Sequence, residues 1–127
     1  MFATITNKNC KRQITEFIDD DHSVRDKFYY IMGKNLSESK MLTEMRKLIE
    51  IDEDFYDPYL AMADILFSQG KSEEAQALAK NAYERAVARI ADSKGQWPKV
   101  MRWGFLENRH LMRALEYYAV GFVIRKA

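Results

Sequence analysis

Cysteine is nearly missing: Cys10 stands alone, so no internal disulfide can form and no thiolate pair is available for zinc or redox cycling. Such a chain suits a reducing compartment. Proline and glycine are scarce, at two and five residues, while Ala, Leu, Met, Glu, Lys, Arg and Gln are plentiful; this balance predicts an all-α fold. Charge of one sign is lacking as well. Twenty basic side chains against nineteen acidic ones leave a formal net charge of +1, too weak a field to gather nucleic acid or an anionic membrane. No apolar run approaches the roughly 20 residues of a membrane span, and the opening Met-Phe-Ala-Thr-Ile-Thr-Asn-Lys lacks the apolar stretch of a secretory signal, so the expected location is the cytoplasm.

Chemistry-bearing motifs are equally sparse. There is no glycine-rich phosphate loop and no recognisable nucleophile motif, and His22 and His110 stand at no metal-ligand spacing from a second histidine or a cysteine. Both histidines are expected at the surface or as helix caps. The run Asp19-Asp20-Asp21 lacks the glycine and spaced oxygens of a calcium loop and is expected as a solvated helix end. The sequence predicts no enzyme, no metal and no cofactor.

What is present is helical periodicity, in a chain of 127 residues with 47% hydrophobic content, enough for one domain with a core. Ile14, Phe17 and Ile18 give a first, short helical signal. Ser23 is placed to cap a helix striped with Val24, Phe28, Ile31 and Met32 and ended by Gly33. Ser37 caps a third helix, with Met41, Met45, Leu48 and Ile49 on its apolar face. Asp57-Pro58 marks a sharp helix start, with the aspartate placed to cap the first amides and proline in the first turn, followed by Tyr59, Met62, Ala63 and Leu66. Gly70 stops that helix. Ser72, Glu73 and Glu74 open the next, whose face runs Ala75, Leu78, Ala79, Ala82, Tyr83, Ala86, Val87 and Ile90. Residues 92–107 break the pattern as an ordered insertion carrying Val100, Met101, Trp103 and Phe105, and a last helix from about Asn108 carries Leu111, Leu115, Tyr118, Ala119 and Phe122. The methionines, Met32, Met41, Met45, Met62, Met101 and Met112 among them, read as core fillers.

The stretch from Asp57 to Ala82 resembles a tetratricopeptide repeat, a helix-turn-helix unit of about 34 residues. Tyr59 stands at its large aromatic position, Ala63 at a small one, Gly70 at the turn, and Ala75 and Ala82 at the small positions of the second helix. One period upstream Met41 aligns with Ala75 and Leu48 with Ala82, so 23–56 reads as a degenerate repeat and 57–91 as the better one. Trp103-Gly104-Phe105-Leu106-Glu107-Asn108-Arg109 resembles a segment of largely uncharacterised, mostly bacterial members of that family, in which the helix that follows opens another repeat. Residues 108–127 are then an unpaired last helix, and its apolar positions Val120, Phe122, Val123 and Ile124 call for cover by a second copy or a partner.

The resemblance implies antiparallel helix pairs stacked as a short right-handed superhelix, and a non-catalytic interaction module binding a protein or peptide, or itself. First helices line the concave face in this family, which maps to Leu60, Asp64, Phe67 and Ser68, and in the last helix to Arg113, Glu116 and Val120. Trp103, Gly104, Glu107 and Arg109 form a structural motif in which a carboxylate and arginines tie the insertion to the last helix; anion binding by Arg109 and Arg113 is the other reading. The alternative function is a nucleic-acid-associated helical repeat using Arg102, Arg109, Arg113, Arg125 and Lys126.

Overall fold

A computed structural model of the chain describes residues 2–6, 13–91 and 94–126; Cys10, Asp92 and Ser93 lie outside the described residues, as do the side chains of residues 2–6, 13–15 and 121–126, Phe122, Val123, Ile124, Arg125 and Lys126 among them. Five helices make up most of it: α1 (Val24–Met32), α2 (Glu38–Ile51), α3 (Asp57–Ser68), α4 (Ser72–Ile90) and α5 (Leu106–Lys126). None of the described helices is long and apolar enough to cross a membrane.

The all-α expectation needs correcting at the N-terminus. Phe2–Thr6 and Gln13–Phe17 are strands, β1 and β2, paired antiparallel with Phe2 opposite Phe17 and Thr6 opposite Gln13. The spacing of Ile14, Phe17 and Ile18 suggests a helix, but Phe-Ala-Thr-Ile-Thr and Gln-Ile-Thr-Glu-Phe are rich in β-branched and aromatic residues, which suit a pleated surface. Val100–Met101, inside the insertion, forms β3 and pairs in parallel with β2, Glu16 opposite Val100 and Phe17 opposite Met101. The small sheet, in the order β1-β2-β3, therefore staples the start of the chain to the segment before α5.

Two of the expected caps also behave differently. Ser37 accepts from the Lys40 amide at 3.4 Å, as a capping serine should, whereas the Ser23 and Asp57 side chains make no cap bond. Asp57 sits in the first turn of α3, where its charge favours the positive helix end. At the other end of α3, Lys71 N–H reaches the Leu66 carbonyl at 2.8 Å and Gly70 N–H that of Phe67 at 3.1 Å. Gly70, at φ 77°, supplies the left-handed residue this helix stop requires.

Small residues set the packing of α3 on α4. Ala75, Ala79, Ala82, Ala86 and Ile90 make the buried edge of α4, and Ala63 and Ala75, both wholly buried, meet in one cluster with Leu66. Alanine at the contact lets the two axes approach to about 8 Å. Phe17 from β2 joins Tyr56, Tyr59, Ala82, Ala86, Ile90, Leu111 and Ala114 in the central cluster, where α3, α4 and α5 meet. A second cluster, including Phe28, Ile31, Met45, Leu48, Phe55 and Met62, joins α1 and α2 to α3.

Candidate functional site

Two features stand out: a largely buried polar cluster and an open groove. The cluster centres on Asp19, whose side chain is fully buried just after β2. His22 Nε2 lies 3.0 Å and His110 Nε2 2.7 Å from Asp19 Oδ2, while the Arg89 guanidinium closes on Oδ1. His22 Nδ1 lies 2.5 Å from Asp52 Oδ2, and His110 Nδ1 accepts from the Tyr56 amide at 3.0 Å. Asn108, completely buried, accepts from the Asp19 amide at 2.7 Å and donates to the carbonyls of Phe17 and Arg102 at 2.9 and 3.2 Å.

These placements overturn three sequence expectations. His22 and His110 are neither surface residues nor helix caps, and Asp19 is not part of a solvated helix end; all three are buried. Asp19 and His22 are three residues apart, but their other partners lie 30 to 91 positions away in the chain, so local spacing does not announce the set.

Protonation follows from the partners. Burial alone would raise the Asp19 pKa, but bonds to His110, His22 and Arg89 hold it well below the usual carboxylate range. Burial works against a charged His22, yet carboxylates at both ring nitrogens win and raise its pKa, so the ring stands as an imidazolium between Asp19 and Asp52. For His110 burial wins and lowers the pKa despite Asp19. Its Nδ1 takes the Tyr56 N–H, so the neutral ring carries its hydrogen on Nε2 and donates it to Asp19.

Asp19, His22 and His110 offer ligand atoms all within 4.8 Å of one another, a set whose chemistry suits a transition metal. The hydrogen bonding does not fit one. A neutral histidine that binds through Nε2 must keep its hydrogen on Nδ1 and donate it outward, but His110 Nδ1 faces a donor. Protons and Arg89 occupy the positions a metal would need, and the cluster joins β2, α4, α5 and the turn before α3 as a structural knot.

The groove lies between α1, α3 and α5, with a volume of about 770 Å³. Six of the residues predicted for binding line it: Leu60, Asp64, Phe67, Arg113, Glu116 and Val120. Ser68 does not; its hydroxyl turns back to the Ile65 carbonyl and to Glu38. Leu60 is 8% exposed and belongs to the central cluster, so it forms floor more than wall. Phe67 packs against the Ala63–Leu66–Ala75 cluster and also borders the groove. Sequence reasoning misses the α1 contribution of Phe28, Tyr29 and Met32 and assigns Met32 to the core; Met32 is 45% exposed. A signal exists, since Tyr29, Tyr30 and Met32 leave more apolar surface on α1 than one buried stripe uses.

Arg113 spans the groove mouth. Its Nε and Nη2 donate to the two Asp57 oxygens at 2.9 and 2.6 Å, Nη2 also reaches the Tyr29 hydroxyl at 3.1 Å, and the guanidinium lies over the Trp103 ring. The Asp57 bond raises its pKa. Arg109 donates to the Trp103 carbonyl at 2.9 Å and lies over the same ring. Trp103 is thus held to the first turns of α5. Glu107 lies half-buried in the first turn of that helix, and Gly104 meets no crowding that would exclude a side chain. Arg102 reaches Glu16 at 2.9 Å, so the described arginines of the basic group each have a partner within the chain.

Comparison with protein-family models, with curated proteins and with solved structures finds no match to this chain.

Proposed function

We propose that the chain is a non-catalytic interaction module, acting in the cytoplasm, whose working surface is the groove between α1, α3 and α5. The observation that carries the reading is a large opening walled by Tyr29, Met32, Phe67 and Val120, in which Met32 and Val120 are about half exposed. Exposed apolar side chains gathered in one concavity suit recognition of a peptide segment, with aromatic and methionine surfaces able to adapt to it. The Asp19, His22 and His110 side chains, by contrast, are buried and paired with one another.

The helix order supports a tetratricopeptide-like arrangement. In that scheme α1 with α2 and α3 with α4 are two repeats, α5 opens a third, and the first helices α1, α3 and α5 are the ones that face the groove. A nucleic-acid role would need a continuous free basic surface, and Arg102, Arg109 and Arg113 are committed to Glu16, Trp103 and Asp57.

Selection from a random peptide library displayed on phage tests the proposal. The wild-type chain is the bait, with counter-selection on Met32→Asp, Val120→Asp, two exposed positions that folding should tolerate. Peptides held by the wild type and released by the variant support the groove. Peptides that bind both forms equally, or retention of the chain's own copies through another surface, would overturn it.

A further inference from the structure

Resting on that reading of the groove, we infer that its occupant is a cationic peptide segment, with a lysine or arginine flanked by apolar side chains. Three carboxylates, Asp57, Asp64 and Glu116, line the groove against one cation, Arg113. Arg113 is spent on Asp57, which it grips through two nitrogens, and on Tyr29. An incoming carboxylate or phosphate would have to displace a well-formed pair to reach that guanidinium.

Two negative charges are left over on the groove lining, Asp64 on α3 and Glu116 on α5. Asp64 accepts from the Tyr117 hydroxyl at 2.6 Å, a neutral donor that leaves its charge in place, and Glu116 lines the same groove from α5. Both are exposed, and among the described residues no cation pairs with either. Around them stand Phe67 and Val120, with Met32 and Tyr29 on the α1 wall. A lysine or arginine stem can lie along such apolar surface while its head meets Asp64 or Glu116. Charge complementarity therefore selects a basic partner over an acidic one, chiefly through specificity and the rate of encounter.

The test uses the phage library restricted to peptides with two fixed leucines and randomised positions between them. Three baits are compared: the wild type, Asp64→Asn with Glu116→Gln, and the Met32→Asp, Val120→Asp groove variant. In the neutralised pair the amide oxygen introduced by Asp64→Asn would still accept the Tyr117 hydrogen bond, and melting curves confirm that each bait is folded. Lys and Arg should be enriched over Asp and Glu on the wild type, and this bias should vanish on the neutralised pair. Synthetic copies of the enriched peptides should bind the neutralised pair about two- to thirtyfold more weakly, as two exposed ion pairs allow, and lose affinity with added salt. Groove-dependent peptides without a basic bias, or with a bias that survives neutralisation, would overturn the cationic occupant while leaving the groove intact. Absence of any groove-dependent peptide would overturn both.

Discussion

The Tyr56 amide donates to His110 Nδ1 at 3.0 Å, and this bond decides the chemistry of the buried cluster. With Nδ1 occupied as an acceptor, the hydrogen of the neutral ring must sit on Nε2, aimed at Asp19. The Asp19–His22–His110 group is then a proton-holding knot. Adding Zn²⁺ or Mn²⁺ is expected to leave the melting temperature unchanged. A metal-dependent rise that disappears with a chelator and in His22→Gln would show that the ring can turn over and that the tautomer argument fails.

The two histidines should shape stability in opposite directions. His22 has a raised pKa when folded, so its contribution is complete below its unfolded value of about 6.5 and is lost as pH climbs through the folded value. His110 has a lowered one, so its contribution holds above about 6.5 and is lost as pH falls towards the folded value; Asp19 adds a further loss below about 3.8. Urea midpoints measured across the range should peak near pH 6.5 and fall on both sides. In His22→Gln the alkaline fall should flatten, and an unchanged alkaline arm would contradict the assignment of His22 as the charged ring.

Asn108 holds three backbone groups at the junction of β2, the insertion and α5. Its amide orientation follows from them, with Oδ1 towards the Asp19 N–H and Nδ2 towards two carbonyls. Asn108→Ala should cost about 2–5 kcal/mol, since buried polar groups lose their partners at roughly 1–3 kcal/mol each. Asn108→Asp should be at least as damaging near neutral pH, because a carboxylate oxygen would face the Phe17 and Arg102 carbonyls. Equilibrium unfolding measures both, and a loss under about 1 kcal/mol for Asn108→Ala would mean that water replaces the side chain.

Removing Arg113 leaves Asp57, whose side chain is only 6% exposed, without its counter-ion. Arg113 itself is one-third exposed, so the usual cost of breaking a buried pair must be discounted. Arg113→Ala is expected to destabilise by about 2–4 kcal/mol, and adding Asp57→Asn should recover part of that loss by removing the stranded charge. A double variant no more stable than Arg113→Ala would assign the loss to the contacts with Tyr29 and Trp103 instead.

Much of the helical framework is legible in the sequence because its signals are local. Ser37, Pro58 and Gly70 act within a turn of their own positions, and the alanines of α4 recur at the helical period. Leu60, Asp64, Phe67, Arg113, Glu116 and Val120 do line the groove, but they follow from the resemblance to a repeat family and not from a local signal. The sheet is not legible. Ile14, Phe17 and Ile18 fit a helical spacing, and only the Thr and Ile content of both segments argues for strands. The polar knot is beyond local reading, because an aspartate near the N-terminus and a histidine near the C-terminus become neighbours only through the packing of α5. Histidine and aspartate side chains read as solvated unless a partner is visible, and here the partners are supplied by the fold.

The groove can be tested directly by ¹³C NMR of the methionine methyl groups. The chain has seven methionines; Met32 lines the groove, Met45 and Met62 are buried in the core, and Met41, Met101 and Met112 are half-buried outside the groove lining. Titrating a library-selected peptide should shift the Met32 methyl strongly and leave those of Met41, Met101 and Met112 in place. Saturable shifts at Met41, Met101 or Met112 with Met32 unmoved would place the working surface elsewhere and contradict the groove as the binding site.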